Sequence, residues 1–176
     1  MTKIVSLAAG AVALAIVGIA LASSAKTVHN YKSALAPGAE VPKPKAPAAA
    51  KGLFTATVTA NGNVRTIRWI LAFRGLSGSA GAAHIHKGKA GVSGGVLLSL
   101  CGPCKTGQTG QAKISRAVAD ALERGLTYVN VHTAKNAAGE IRGQLRLLDH
   151  AGAPAAPGPP TTTTTPDDGS DPGAGY

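Results

Sequence analysis

The sequence predicts an all-β domain, an antiparallel sandwich or barrel that carries one short helix. Runs of alternating apolar and polar residues recur between residues 51 and 150, and a period of two is that of a strand with one buried face. Glycine-rich segments separate these runs, and only one run has helical spacing. Short strands divided by such turns are typical of an antiparallel β-sandwich or barrel.

The first two predicted strands form a hairpin. Residues 54–59 and 64–73 have strand patterns, and Asn61-Gly62 lies between them. This dipeptide is a strong hairpin signal because both residue types tolerate the positive φ of a tight turn. In the second strand one apolar row predicts the core face, and it comprises Ile67, Trp69, Leu71 and Phe73.

The remaining elements are predicted by the same kind of reasoning. A helix is expected at 115–124, because Ser115 can cap its N-terminus and Gly125 stands where a helix commonly ends. The other expected strands are 80–86, 96–100, 126–133 and 140–148, and the loops between them include 88–95, 101–110 and 134–139.

The first 25 residues have the layout of a secretory signal peptide. After Lys3, an uncharged and mostly apolar run extends over residues 4–22 and is followed by small residues, so cleavage could follow Ala22 or Ala25. This predicts a secreted, periplasmic or cell-envelope protein. The run is also close to the length of a membrane span, so the alternative is an uncleaved N-terminal anchor.

Composition also divides the rest of the chain. Residues 26–50 contain four prolines among alanines and lysines and predict an extended linker, whereas residues 151–176, rich in proline and threonine and then acidic, predict a disordered tail. The folded domain is therefore predicted to span residues 51–150, and both flanks are expected to be dispensable for folding.

The charge of the chain is strongly positive, with a formal value of +10 at pH 7. Residues 51–150 hold 13 Lys and Arg against four Asp and Glu. Nucleic acid is not the expected partner, because the signal peptide directs export and only 3% of residues are aromatic, which leaves little to stack on bases. An anionic envelope surface or glycans fit better, and the alternative is a dispersed basic surface that serves solubility.

Three histidines are candidate metal ligands. His84 and His86 stand two apart on a predicted strand, so both imidazoles leave the same face of the sheet. His132 lies on another predicted strand whose polar face could meet theirs. Three neutral imidazoles suit Cu(II) or Zn(II), and no methionine after Met1 could supply the soft ligand typical of Cu(I) sites. Copper is therefore the cofactor hypothesis, and the alternative is a hydrogen-bonding role for these histidines.

Other polar residues share the alternation of these strands. Asn130, Glu140 and Arg142 point with the histidines, and the opposite, apolar set comprises Ile85, Val129, Val131 and Ile141. The polar set predicts a binding face. In the metal-free alternative, Glu140 and Arg142 form an ion pair.

Cys101 and Cys104 are the only cysteines. A thioredoxin-type motif would need a strand followed by a helix in an α/β fold, which is not the pattern here. In an exported protein a short-range disulfide is the favoured interpretation, with a redox role, free thiols or metal ligation as alternatives. Four-cysteine zinc ligation is excluded by the count.

Common catalytic arrangements are missing from the sequence. There is no Gly-x-Ser-x-Gly elbow, no Walker-type phosphate loop and no second acid near Glu140 for paired-carboxylate hydrolysis. The sequence therefore indicates a module without a catalytic site more than an enzyme.

Three segments stand out together, namely HIHKGKAGVSGGVLLSLCGPC at 84–104, ALERGLTYVNVHT at 121–133 and NAAGEIRGQL at 136–145. They resemble the CHRD domain, which is named from chordin and also occurs in exported bacterial proteins. The resemblance implies an immunoglobulin-like or superoxide-dismutase-like sandwich. The His-x-His strand is also similar to copper/zinc superoxide dismutases, although that family uses more ligands than His84, His86, His132 and the terminal His150 provide.

The sequence and this resemblance together predict an exported, non-catalytic CHRD binding module, with copper held by the histidine cluster as a hypothesis. Two alternatives stay open. One is a copper-dependent oxidoreductase related to superoxide dismutase, and the other is a purely structural module of the cell envelope.

Overall fold

The computed structural model describes residues 26–148. The predicted signal peptide at 1–25 and the predicted tail at 151–176 lie outside the described residues. The strands are β1 Thr27–Leu35, β2 Lys51–Asn61, β3 Val64–Arg74, β4 Ala80–Lys87, β5 Val96–Cys101, β6 Gln108–Lys113, β7 Thr127–Thr133, β8 Asn136–Gln144 and β9 Arg146–Leu147. A 3₁₀ turn, Pro37–Ala39, follows β1, and the α-helix α1, Arg116–Glu123, precedes β7.

These strands form two antiparallel sheets that pack face to face. The five-stranded sheet has the order β6-β3-β2-β1-β9, and the four-stranded sheet has the order β5-β4-β7-β8. The core lies between the sheets, and most residues predicted for it are buried there, namely Ile67, Trp69, Leu71, Ile85, Val129, Val131 and Ile141. Phe73, the last member of the predicted row, is only partly buried and packs against this core. The predicted all-β sandwich with one short helix is confirmed.

The local signals for the first hairpin and the helix are also confirmed. Gly62 adopts a φ of 57° in the turn between β2 and β3, as the Asn-Gly signal requires. Ser115 caps α1, its side chain accepting a hydrogen bond from the Val118 amide. Gly125 follows the helix with a φ of 66°.

The prediction that residues 26–50 form a linker is wrong for the segment that becomes β1. This strand pairs along its whole length with β2 and on its other edge with β9, so it lies inside the five-stranded sheet. Tyr31 and Leu35 are each 1% exposed. The prolines that suggested a linker begin only at Pro37, and the average composition of the segment hid the alternation that precedes them.

Other boundaries also differ from those expected, and the strand expected at 140–148 divides into β8 and β9. Strand β6 lies partly inside the expected loop 101–110. The sequence does not predict this strand because QTGQAK lacks apolar alternation. It still pairs with β3, and Gly110 lies so close to the Trp69 ring that no side chain would fit. Strand β8 begins at Asn136 instead of residue 140, since Asn136 pairs directly with Thr133 after a two-residue turn.

Cys101 and Cys104 form a disulfide, as predicted. The Cys104 amide donates to the Ala80 carbonyl, which ties the loop after β5 to the start of β4. In the described part of the chain, no helix is long and apolar enough to cross a membrane.

Candidate functional site

The candidate site lies on the outer face of the four-stranded sheet. Register places His84 on β4 opposite Asn130 on β7, and Asn130 in turn opposite Arg142 on β8. His86 stands opposite Tyr128 in the next row. Three adjacent strands of this sheet, β4, β7 and β8, therefore bring together residues that are far apart in the sequence. We call the set His84, His86, Tyr128, Asn130, His132 and Arg142 the polar face.

The three predicted histidines converge on this face. One ring nitrogen from each of His84, His86 and His132 lies within 4.8 Å of the other two. Nδ1 of His84 and Nε2 of His132 are 3.0 Å apart and share a hydrogen bond. His86 is 8% exposed, whereas the other two rings are partly exposed. Solvent therefore reaches the cluster mainly at His84 and His132.

Backbone carbonyls fix the tautomers of two of these rings. Nδ1 of His86 lies 2.9 Å from the Gly94 carbonyl, and Nδ1 of His132 lies 3.0 Å from the Ala137 carbonyl. A carbonyl only accepts, so each neutral ring carries its proton on Nδ1 and keeps a lone pair on Nε2. Nε2 of His86 is buried and has no hydrogen-bond partner. Two imidazoles are therefore held with an unprotonated nitrogen facing the cluster.

Burial and neighbouring rings favour the neutral form of two members of the cluster, His84 and His132. Burial lowers the pKa of His84, and the nearby His132 and His86 rings lower it further. Burial also lowers the pKa of His132; its bond to the Ala137 carbonyl opposes this effect and the His86 ring adds to it. Lowered values leave these two imidazoles unprotonated at neutral pH.

His86, the remaining ligand candidate, is positioned by aromatic stacking. The His86 ring stacks on Tyr128 with 4.9 Å between centroids and 6° between planes. The Arg142 guanidinium lies 3.4 Å from the centroid of the same tyrosine ring. Since β4 and β8 flank β7, the imidazole and the guanidinium approach Tyr128 from opposite sides.

Arg142 also holds the loop that orients His86. Its Nη2 donates to the carbonyls of Lys89 and Val92 at 3.1 and 2.8 Å, and the Tyr128 hydroxyl accepts from the Gly94 amide at 3.2 Å. These contacts fasten the glycine-rich loop whose Gly94 carbonyl binds His86. Arg142, predicted as a member of the binding face, therefore acts on the histidines through this loop.

Glu40 is a site residue that the sequence did not reveal. It belongs to residues 36–50, which we call the covering segment, because Val41 and Lys45 in it accept hydrogen bonds from Ser93 and Asn136. Glu40 is 3% exposed, and its Oε1 has no hydrogen-bond partner. Burial raises its pKa to about 7, although the Val41 amide, the Arg142 charge and the Asn130 amide favour ionisation.

Gly139 makes room for this carboxyl group. It has a φ of 132°, and a side chain there would overlap Glu40 Oε1 and crowd the Asn130 amide. Glu40 is not evident from the sequence because the composition of residues 26–50 predicts a linker. A single acid among 25 residues rich in proline, alanine and lysine was the only signal that could have drawn attention to it.

Glu140 lies apart from the histidines. Its carboxylate accepts hydrogen bonds from the Ser77 amide and hydroxyl, the Thr133 hydroxyl and the Asn136 side chain. Burial raises its pKa, but these hydrogen bonds outweigh burial and hold the pKa below its usual value. Within residues 26–148 it forms no ion pair with Arg142, so the ion pair considered from the sequence is not formed. Glu140 instead ties the segment before β4 to the β7–β8 turn.

The donor set of the histidine cluster fits a borderline divalent metal. Imidazole nitrogen bonds Cu(II) and Zn(II) at about 2.0–2.1 Å, so small ring rotations that bring the widest separation to about 4 Å or less would let all three nitrogens bind one ion. His84 is partly exposed, so its neutral ring can place the proton on Nε2 and free Nδ1. In the described residues no cysteine or acid belongs to this cluster, which leaves further coordination positions to solvent or a small ligand.

Comparison with known proteins identifies the family. Searches of the curated proteins and of the solved structures found no significant match. The family model of the CHRD domain matches residues 31–145, which include all three histidines, Glu40 and most of β1. This match spans more than half of the sequence and extends well into the segment that was expected to be a linker. The chain belongs to the CHRD domain family.

Proposed function

We propose that this protein is an exported CHRD module that binds Cu(II) through His84, His86 and His132. The observation that carries the proposal is the convergence of three ring nitrogens within 4.8 Å, two of them oriented by backbone carbonyls. Metal-binding histidines are commonly oriented by such a bond from the nitrogen that does not bind the metal. A purely structural cluster would not need a buried Nε2 without a partner, as His86 has.

Copper is favoured over other divalent metals by the type of donor. Nitrogen sites bind Cu(II) more tightly than Zn(II) in the general affinity order, and the cluster has no thiolate or thioether that would favour Cu(I). The lowered pKa of His84 and His132 reduces competition from protons. One Cu(II) ion per chain is therefore the expected stoichiometry.

Calorimetric titration with Cu(II) and Zn(II) tests the site. His84→Gln and His86→Ala are expected to weaken Cu(II) binding at least about 100-fold, since each removes one of three bonds to the ion. His29→Gln is the matched control, because His29 lies on β1 in the other sheet. No binding at micromolar Cu(II), or equal affinity in the wild type and all variants, would return these histidines to a hydrogen-bonding role. Nitrogen hyperfine structure in the electron paramagnetic resonance spectrum gives an independent readout.

Export is the second part of the proposal. It is supported by the charged and then apolar pattern of residues 1–22 and by a disulfide, which is typical of oxidising compartments. N-terminal sequencing of the protein from the cell envelope or culture fluid is expected to begin at Ser23 or Lys26. Protein that keeps Met1 and stays with the membrane would favour the uncleaved anchor instead.

A further inference from the structure

The outer face of the five-stranded sheet carries a cationic surface. Seven basic residues project from this face or its margin, namely Lys26, Lys32, Lys51, Arg68, Arg74, Lys113 and Arg146. We call this set the cationic face. Residues 26–148 contain four acids; Glu40 and Glu140 are buried near the other sheet, and Asp120 and Glu123 lie on α1. Within the described chain, none of the seven forms an ion pair.

Two pairs of like charges stand directly opposite each other on this face. Lys32 on β1 is the register partner of Arg146 on β9, and Lys51 on β2 is the register partner of Arg74 on β3. All four side chains are exposed. Like charges directly opposite on neighbouring strands destabilise a sheet, so such pairs without any acid to separate them are unfavourable for folding alone. An anionic partner would relieve this repulsion.

Neutral hydrogen-bonding groups fill the space between the cations. Asn30, Thr55 and Thr57 line a groove with Arg68, and Thr59 and Thr66 line a second groove that shares Arg68 and reaches Lys26. A third groove lies between Lys51 and Arg74. The grooves therefore follow one another along the paired strands β2 and β3, which suits a linear ligand better than a compact one.

Apolar groups complete these grooves. Ile70 is 53% exposed beside the central groove, and Leu53 is 42% exposed beside the third. An anionic polysaccharide presents ring CH groups, hydroxyls and negative charges. The isolated aliphatic side chains can contact the CH groups, the threonine and asparagine side chains can bond the hydroxyls, and the cations can pair with the charges. A bilayer surface would be served by the cations alone and gives no role to the hydroxyl and amide side chains.

We infer that the cationic face binds an anionic polysaccharide, which lies along the grooves and contacts Arg68 near its centre. This site is on the opposite side of the sandwich from the histidine cluster, and it does not depend on metal. The binding is electrostatic in part and weakens as salt rises, because exposed charges are screened over about 8–10 Å at physiological ionic strength.

Binding to immobilised dextran sulfate, with neutral dextran as the blank, tests the inference on the whole metal-free protein. The variant Lys32→Gln/Arg68→Gln/Arg146→Gln is expected to bind at least about tenfold more weakly at low salt, and its affinity should depend less steeply on salt concentration. Lys43→Gln/Lys45→Gln/Lys135→Gln is the matched control. It removes the same charge from the covering segment and the β7–β8 turn, and it should change the affinity about twofold or less.

The outcomes are distinct. Equal weakening in both triple variants would mean that net charge alone attracts the polymer and would overturn the inference, as would binding to phosphatidylglycerol vesicles without binding to dextran sulfate. Thermal unfolding checks the fold of each variant, and relief of the like-charge pairs should leave the midpoint unchanged or higher. Lys51→Gln/Arg74→Gln is a second variant on the same face and should also weaken binding.

Discussion

Nδ1 of His84 lies 3.0 Å from Nε2 of His132, although 48 residues separate them in the sequence. The two rings meet because β4 and β7 are neighbours in the four-stranded sheet. The bond between them is available only while Nε2 of His132 is unprotonated. Protonation of His132 at Nε2 would therefore break the contact that holds the His84 and His132 rings together.

His84 and His132 should titrate below the ordinary range of histidine in the metal-free protein. Burial lowers the pKa of both His84 and His132, so nuclear magnetic resonance titration should place both below 6.5. The unfolded state then binds more protons than the folded state below about 6.5, and stability should fall as pH decreases through that range. The same residues measured in urea serve as the reference. Values at or above 6.5 in the folded protein would contradict the prediction.

Replacing Glu40 should change how stability depends on pH. Its pKa is about 7 in the fold against 4.5 ordinarily, so the stability it contributes is fully present below 4.5 and is lost as pH rises through 7. The loss is expected to reach about 3 kcal/mol at alkaline pH. Glu40→Gln should remove this loss, so urea unfolding at pH 9 should find the variant more stable than the wild type. An unchanged difference between pH 5 and pH 9 would show that Glu40 is not the group responsible.

Glu140→Gln is the informative contrast to Glu40→Gln. The Glu140 carboxylate is fully used by Ser77, Thr133 and Asn136, and a Gln side chain brings two donors where only acceptors fit. This variant should lose about 2 kcal/mol at pH 7 because buried donors are left without a partner. A stabilising effect would contradict the assigned role of Glu140.

Removal of residues before Lys51 should prevent folding. Such a chain lacks β1, which lies between β2 and β9 and contributes Tyr31 and Leu35 to the core. Burial of two such side chains stabilises by roughly 3–6 kcal/mol, a large part of the stability of a small domain. Circular dichroism and limited proteolysis should find a folded core in a chain that begins at Lys26 and none in one that begins at Lys51. A stable core from Lys51 onward would show that β1 is an accessory strand.

Reduction of the disulfide should leave the domain folded. The bridge between Cys101 and Cys104 closes a ring of only four residues, so the loop-entropy model gives it no more than about 2 kcal/mol. Cys101→Ser/Cys104→Ser should therefore melt somewhat earlier but keep the wild-type spectrum. Mass spectrometry of non-reduced peptides checks that the wild-type bridge is present. Unfolding on reduction would assign the bridge a larger role than its ring size allows.

The amino-acid sequence alone determined the fold class and the two faces of the central strands. Alternation at Ile85, Val129, Val131 and Ile141 predicted core positions that the structure confirms, since side-chain direction in a strand depends only on local geometry. The sequence also predicted the Asn61-Gly62 turn, the Ser115 cap and the disulfide, because each of these features depends on residues that are only a few positions apart. The spacing of His84 and His86 sufficed to place both rings on one face.

Strand order and long-range pairing determined the assembly of the histidine cluster, the position of β1 and the burial of Glu40. His132 joins the cluster only because β7 is next to β4, and β1 enters its sheet only because β2 and β9 flank it, neither of which a single sequence displays. Glu40 became a buried carboxyl group because the covering segment folds over Asn130 and Arg142. Burial raises a pKa only after distant segments have excluded water, so the tertiary structure alone determined the chemistry of Glu40 and of the histidine cluster.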